Sequence, residues 1–161
     1  MRRWRADLPD ETRTAALGAA LAGALAPGLK IYLQGELGAG KTHLVRALLQ
    51  SAGHAGRVKS PTYTLAEPYD IRLQGQPVAL MHFDLYRMSS ADEFLDAGFR
   101  EYFDGEHLCI VEWPERAQGL LPPADLDVVI TVDGEGRAVE LRANSDAGAT
   151  CLNHLDHHWT P

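Results

Sequence analysis

Leucines recur at fourfold spacing at Leu17, Leu21 and Leu25, just after Leu8-Pro9-Asp10-Glu11. This spacing predicts a helix with Asp10 as its N-cap and Pro27-Gly28 as its end. Lys30-Ile31-Tyr32-Leu33 then reads as a short buried strand, and a glycine-rich turn follows it. From Lys41, the run His43-Leu44-Val45-Arg46-Ala47-Leu48-Leu49 returns to helical spacing and ends near Gly53. Residues 63–66 and 78–83 read as strands of a hairpin that turns at Gly75-Gln76-Pro77. A further helix starts at residues 90–95, and residues 108–111 form a wholly apolar strand of the parallel-sheet type. Two more strands, 126–132 and 138–143, flank the turn sequence Asp133-Gly134-Glu135-Gly136. The pattern predicts an α/β fold in which a mixed, mainly parallel sheet is flanked by helices. One domain is expected over residues 1–145, with a short helix and frayed tail over 146–161.

Composition narrows the class. The chain has 161 residues, 45% apolar and 23% charged, the range of an ordinary globular domain. No apolar run is long enough to span a bilayer. Arg2, Arg3 and Arg5 precede an Ala-rich stretch as in a secretory leader, but Asp7, Asp10 and Glu11 interrupt it, so no leader is expected. The two cysteines, Cys109 and Cys151, make no disulfide framework, and a cytoplasmic location is the expectation. The net charge of −7 is unevenly spread, +5 over residues 1–60 and −12 over the remainder. An acidic chain is a poor electrostatic partner for a nucleic-acid backbone, whereas the basic first third suits a small phosphate ligand.

The turn after the first predicted strand supplies that ligand's chemistry. Gly35-Glu36-Leu37-Gly38-Ala39-Gly40-Lys41-Thr42 is the phosphate-binding pattern G-x-x-x-x-G-K-[ST], set between a strand and a helix as the chemistry requires. The glycines let the backbone turn its N–H groups inward, and the helix start adds unpaired donors and a positive dipole end. Lys41 is expected to reach the β- and γ-phosphates of ATP, and the Thr42 hydroxyl to ligate Mg²⁺. Lysine is scarce, three against twelve arginines, which makes its place in this loop less accidental.

A Mg·ATP site also needs carboxylates at strand ends beside the loop. Asp84 closes His82-Phe83-Asp84, and Glu112 follows Val111. Spacing alone leaves open which of them meets the metal and which orients water. Ser60-Pro61-Thr62-Tyr63 is a hydroxyl-bearing loop suited to sensing a γ-phosphate.

These motifs resemble the TsaE family, small bacterial phosphate-loop ATPases of the tRNA threonylcarbamoyladenosine pathway. The resemblance rests on residues 35–42, Ser60-Pro61-Thr62-Tyr63-Thr64-Leu65, Tyr69, His82-Phe83-Asp84-Leu85-Tyr86-Arg87 and Val111-Glu112-Trp113-Pro114-Glu115. Leu8-Pro9-Asp10-Glu11, Thr14 and Gly18 look like the family's opening. The likeness implies a phosphate-loop NTPase fold and ATP hydrolysis that resets a partner complex of TsaB and TsaD, with tRNA engaged through that complex. It implies Thr42 and Glu112 as magnesium ligands, Asp84 as the second essential carboxylate, Trp113 near the nucleotide, and Thr14 and Thr62 as further nucleotide contacts. His43 stands where the family usually has a second threonine. His154, His157 and His158 in the tail belong to no recognised family feature.

Two other functions use the same loop, a small-molecule kinase and a nucleotide-gated binding module. A kinase needs an acceptor pocket and usually an arginine-rich lid, for which the chain leaves little room. Arg72, Arg87, Arg100 and Arg116 are scattered. Of these, Arg87 is the candidate for an arginine finger in cis, and without a finger turnover is expected to be feeble.

Overall fold

The computed structural model describes residues 2–61 and 63–161. Seven strands form one sheet: β1 (Arg3–Leu8), β2 (Lys30–Gln34), β3 (Ala66–Leu73), β4 (Gln76–Asp84), β5 (Leu108–Glu112), β6 (Leu126–Asp133) and β7 (Gly136–Ala143). Their spatial order is β1-β7-β6-β2-β5-β4-β3. The four central strands, β6-β2-β5-β4, are parallel, and antiparallel pairs flank them at both edges. Four helices accompany the sheet, α1 (Glu11–Ala22), α2 (Lys41–Ser51), α3 (Asp92–Asp96) and α4 (Asp146–His158). The α/β class with a mixed sheet is as expected. Among the described residues no helix is long and apolar enough to cross a membrane.

Alternation along the strands divides the core in two. Ile31, Leu33, Leu80, Leu108 and Ile110 join one apolar cluster with Leu17 and Leu21 of α1, Leu44 and Leu48 of α2, and Leu152 and Leu155 of α4. Tyr32, Met81, Phe83, Cys109 and Val111 point the other way, into an aromatic cluster with Phe94 of α3 and Phe99 of a short 3-10 turn. A strand buried on both faces needs such continuous apolar runs, and β5 is buried at all five positions.

Four sequence expectations shift. Helix α1 begins as predicted, with the Asp10 carboxylate accepting the Arg13 N–H at 2.9 Å, but it stops at Ala22. Leu25 is still buried, so its fourfold spacing reflected burial in the turn after the helix. The strand expected over 63–66 instead starts at Ala66, because Leu65 turns into positive φ (66°) and its carbonyl accepts the Asp84 N–H at 3.0 Å. β1 was not anticipated. Its alternating Trp4, Ala6 and Leu8 face inward, and it pairs antiparallel with distant β7 from Arg3 opposite Arg142 to Leu8 opposite Arg137. Where a short helix was expected near the C-terminus, α4 runs thirteen residues with Cys151, Leu152 and Leu155 buried. Beyond it, Trp159 meets Trp4 edge-on at 5.6 Å and lies 4.0 Å beneath the Arg13 guanidinium.

Asp125 ties α4 to the central sheet. Its carboxylate accepts the Lys30 N–H at 2.8 Å and the Ser145 hydroxyl at 2.7 Å, and Ser145 in turn caps α4. A β-carbon on Gly148 would stand 1.9 Å from the Asp125 carbonyl oxygen. Gly148→Ala should therefore lower stability by about 1–3 kcal/mol, although alanine is favoured over glycine inside a helix by about 1 kcal/mol. Urea denaturation measures this, and a stabilised variant would contradict the close approach.

Candidate functional site

The loop after β2 is shaped by its backbone. Gly38 (φ 80°) and Gly40 (φ 105°) occupy conformations that side chains disfavour, and Gly40 leads directly into α2 at Lys41. Neither glycine is demanded by crowding, since a β-carbon at Gly38 would meet nothing within 4 Å. What they provide is a curl that leaves the first amides of α2 without intrahelical partners, an anion-binding arrangement. Arg137, at the start of β7, braces the curl from outside. Its guanidinium donates to the carbonyls of Ala39 and Gly38, both at 3.0 Å. Sequence reasoning missed Arg137, which lies 98 residues from Ala39 and carries no motif of its own.

The carboxylates arrive by register. β4 and β5 run parallel with Asp84 opposite Glu112, so both side chains share a sheet face at the carboxyl ends of adjacent strands. β2, which feeds the loop, is the next strand over, with Leu33 opposite Glu112. Leu37, Gly38, Ala39, Gly40, Lys41, Thr42, Asp84, Glu112 and Trp113 all line one cleft of about 530 Å³, together with Ser60, Tyr86 and Arg87. Of the other sequence candidates, Gly35 offers its carbonyl to the Lys41 ammonium, and the carbonyl of exposed Glu36 accepts the Ala39 N–H. Thr14 faces a smaller cleft of about 190 Å³ on the other side of the loop, lined also by Asp10, Gly38, Gly40, His43 and Arg137. Thr62 lies outside the described residues.

Lys41 is 95% buried, an unusual setting for a lysine. Burial lowers its pKa, and the charges of Glu112, Asp84 and Glu115 oppose that shift. Besides the Gly35 carbonyl, its ammonium sits 3.9 Å from the centre of the Trp113 ring, a cation–π contact. Trp113 itself holds φ 59° and ψ 51°, a left-handed conformation that is rare for so bulky a residue and that marks functional or strained sites. Tyr86 packs against that indole at 4.8 Å with the rings tilted by 55°, and Arg116 stands over Tyr86 at 5.6 Å. The lysine of the loop thus rests against an aromatic cluster.

Asp84 carries the complementary perturbation. Burial raises its pKa first and the neighbouring Glu112 charge second, while the Tyr86 N–H, His82 and Lys41 pull it down. Two adjoining carboxylates and a threonine hydroxyl form an oxygen donor set that fits a hard divalent cation, and the amides of the loop beside them suit phosphate oxygens. Among the described residues there is no group of three His, Cys, Asp or Glu side chains placed to hold a metal by themselves, the tail histidines included. A cation here would need ligand and water oxygens to complete its shell.

Comparisons with known proteins place the chain among named relatives. A family model described as threonylcarbamoyl adenosine biosynthesis protein TsaE matches residues 8–139. The tRNA threonylcarbamoyladenosine biosynthesis protein TsaE of Haemophilus influenzae is 44% identical over 125 residues, covering 78% of this chain and 77% of that protein. The Bacillus subtilis protein of the same name is 38% identical over 134 residues, covering 83% and 79%. Among solved structures, YdiB of Bacillus subtilis superposes with a TM-score of 0.77 at 27% identity, covering 98% of this chain and 96% of that one.

The Asp84 shift has a consequence for stability. A carboxyl group whose pKa is raised on folding contributes fully below the ordinary aspartate value, and that contribution is lost as pH rises through its folded pKa. Asp84→Asn keeps an oxygen for the Tyr86 N–H and removes the charge. It should raise the melting temperature of the ligand-free protein at pH 7 by about 2–4 °C, for a gain of about 1 kcal/mol. The gain should shrink as pH falls through the raised folded pKa and be gone below the ordinary aspartate value of about 4, where the wild-type carboxyl is protonated in both states. A lower melting temperature, or a gain independent of pH, would contradict the assignment.

Proposed function

The chain belongs to the TsaE family of threonylcarbamoyl adenosine biosynthesis proteins, and on that premise we propose that it is the Mg·ATP-hydrolysing member of the tRNA-modifying machinery in the cytoplasm. The observation that carries the reading is the meeting of Lys41 and Thr42 with Asp84 and Glu112 in one cleft. Phosphates seat on the amides of residues 38–42, and the Lys41 ammonium exchanges the Gly35 carbonyl and the Trp113 ring for β- and γ-phosphate oxygens. That exchange trades neutral partners for charged ones, which makes it favourable. Thr42 and Glu112 would hold Mg²⁺, with Asp84 beside them, and a bound ion would supply charge neutralisation for phosphoryl transfer. Asp84 orients the attacking water, with its higher proton affinity suiting it to the role. The smaller cleft, walled by Asp10, Thr14 and His43, adjoins the same loop and takes the nucleoside end. Ser60, which lines the cleft, lies in the segment that meets the terminal phosphate.

Arg87 is the arginine that lines the cleft, but it is exposed and stands 5.4 Å over the ring of exposed Tyr63. It is not held against the phosphate site, so among the described residues the cleft holds no arginine fixed in advance for the transition state. Phosphate-loop enzymes in that condition turn over on the order of 10⁻⁴ s⁻¹, and a supplied arginine contributes on the order of 10³–10⁵-fold. In this reading the TsaB–TsaD complex completes the site, and hydrolysis resets that complex between rounds of threonylcarbamoyl transfer to tRNAs that read codons beginning with A.

Steady-state ATP hydrolysis, measured alone and with TsaB, TsaD and tRNA, tests this directly. The expected result is a low basal rate that the complex raises at least tenfold and that Lys41→Ala abolishes. A rate unaffected by the complex would overturn the resetting role, and an undiminished rate in Lys41→Ala would overturn the site.

A further inference from the structure

The carboxylate assigned to magnesium has an unusual partner. His82 and Glu112 are almost completely inaccessible, with 0% and 2% exposure, and the His82 Nε2 lies 2.6 Å from the Glu112 Oε2. Strand parity explains how they meet. His82 and Asp84 alternate onto the same face of β4, and Glu112 lies opposite Asp84 on β5, which makes His82 its diagonal neighbour. An ionised carboxylate has no proton to give, so Nε2 donates. The other ring nitrogen, Nδ1, is buried and finds no partner among the described residues. A bare lone pair tolerates that burial better than an orphaned N–H donor does. The geometry therefore places a ring proton on Nε2, directed at Glu112.

We propose that His82 is a positioning residue for the metal site: its Nε2–H ties down Oε2 of Glu112, fixes the carboxylate plane, and leaves Oε1 as the oxygen offered to the cation. The inference rests on the reading of Glu112 as a magnesium ligand. Without the ring, a carboxylate on a β-strand end would swing among rotamers and would be buried without a donor, so the metal would have to order it on binding. Hydrogen bonds to the groups that ligate a metal commonly hold 10–100-fold of affinity in this way.

Two substitutions separate donation from mere bulk. His82→Gln carries an amide N–H at about the reach of Nε2, whereas His82→Asn places its amide nearer the position of Nδ1. Mn²⁺ serves as the probe, titrated by electron paramagnetic resonance into protein saturated with ADP, and thermal melts establish that each variant is folded. His82→Asn should lose at least tenfold in Mn²⁺ affinity while binding ADP without metal as the wild type does. His82→Gln should stay within about threefold of wild type. Equal Mn²⁺ affinity in all three proteins, or equal losses in both variants, overturns the proposal. Failure of the wild type to bind Mn²⁺ with ADP overturns instead the reading of the site on which it rests. Should either variant not fold, the ¹⁵N resonances of His82 in the unmodified protein decide the matter. A proton on Nε2 with a bare Nδ1 supports the proposal, and a proton on Nδ1 overturns it.

Discussion

The parallel register of β4 on β5 is the constraint from which the site follows. By setting Asp84 opposite Glu112 it forces two carboxylates together at a buried strand end. Everything around them manages that charge. Lys41 is drawn into a buried position whose cost falls on its own proton affinity, and Asp84 holds its proton more tightly than a surface aspartate would. In the absence of a ligand the arrangement is an electrostatic compromise that favours neither group. A magnesium ion with a triphosphate would satisfy both at once, bringing positive charge to the carboxylates and negative charge to the lysine.

The sheet faces are apolar and continuous, and the C-terminal helix is pinned through Asp125 and the pair of indoles, Trp4 and Trp159. Against that rigid background, Trp113 keeps a left-handed backbone and Lys41 rests on its ring. A stiff scaffold under a poised site is what substrate positioning demands, because phosphoryl transfer is catalysed mostly by placement and charge.

Much of this was legible in the sequence because it depends on local order. The loop 35–42 declares itself through spacing, and Asp84 and Glu112 through their places at the ends of apolar runs. What was not legible depends on distant pairing. The strand at Arg3–Leu8 has only three inward positions and acquires its meaning from β7, near the other end of the chain. Arg137 looks like any strand arginine until the β6–β7 hairpin carries it to the carbonyls of Gly38 and Ala39. His82 sits in a conspicuous motif, yet its partner becomes known only when the register of two strands is known. The shifted start of β3 has a local cause, a leucine in positive φ, that composition does not announce.

The central claim is that the two carboxylates and the loop form one site for a nucleotide and a divalent cation. Calorimetric titration of ATP into the protein, with and without Mg²⁺, tests it most directly. The account predicts saturable binding of one nucleotide per chain that weakens at least tenfold when the metal is removed. Binding of equal strength with and without Mg²⁺, or no binding at all, would contradict it.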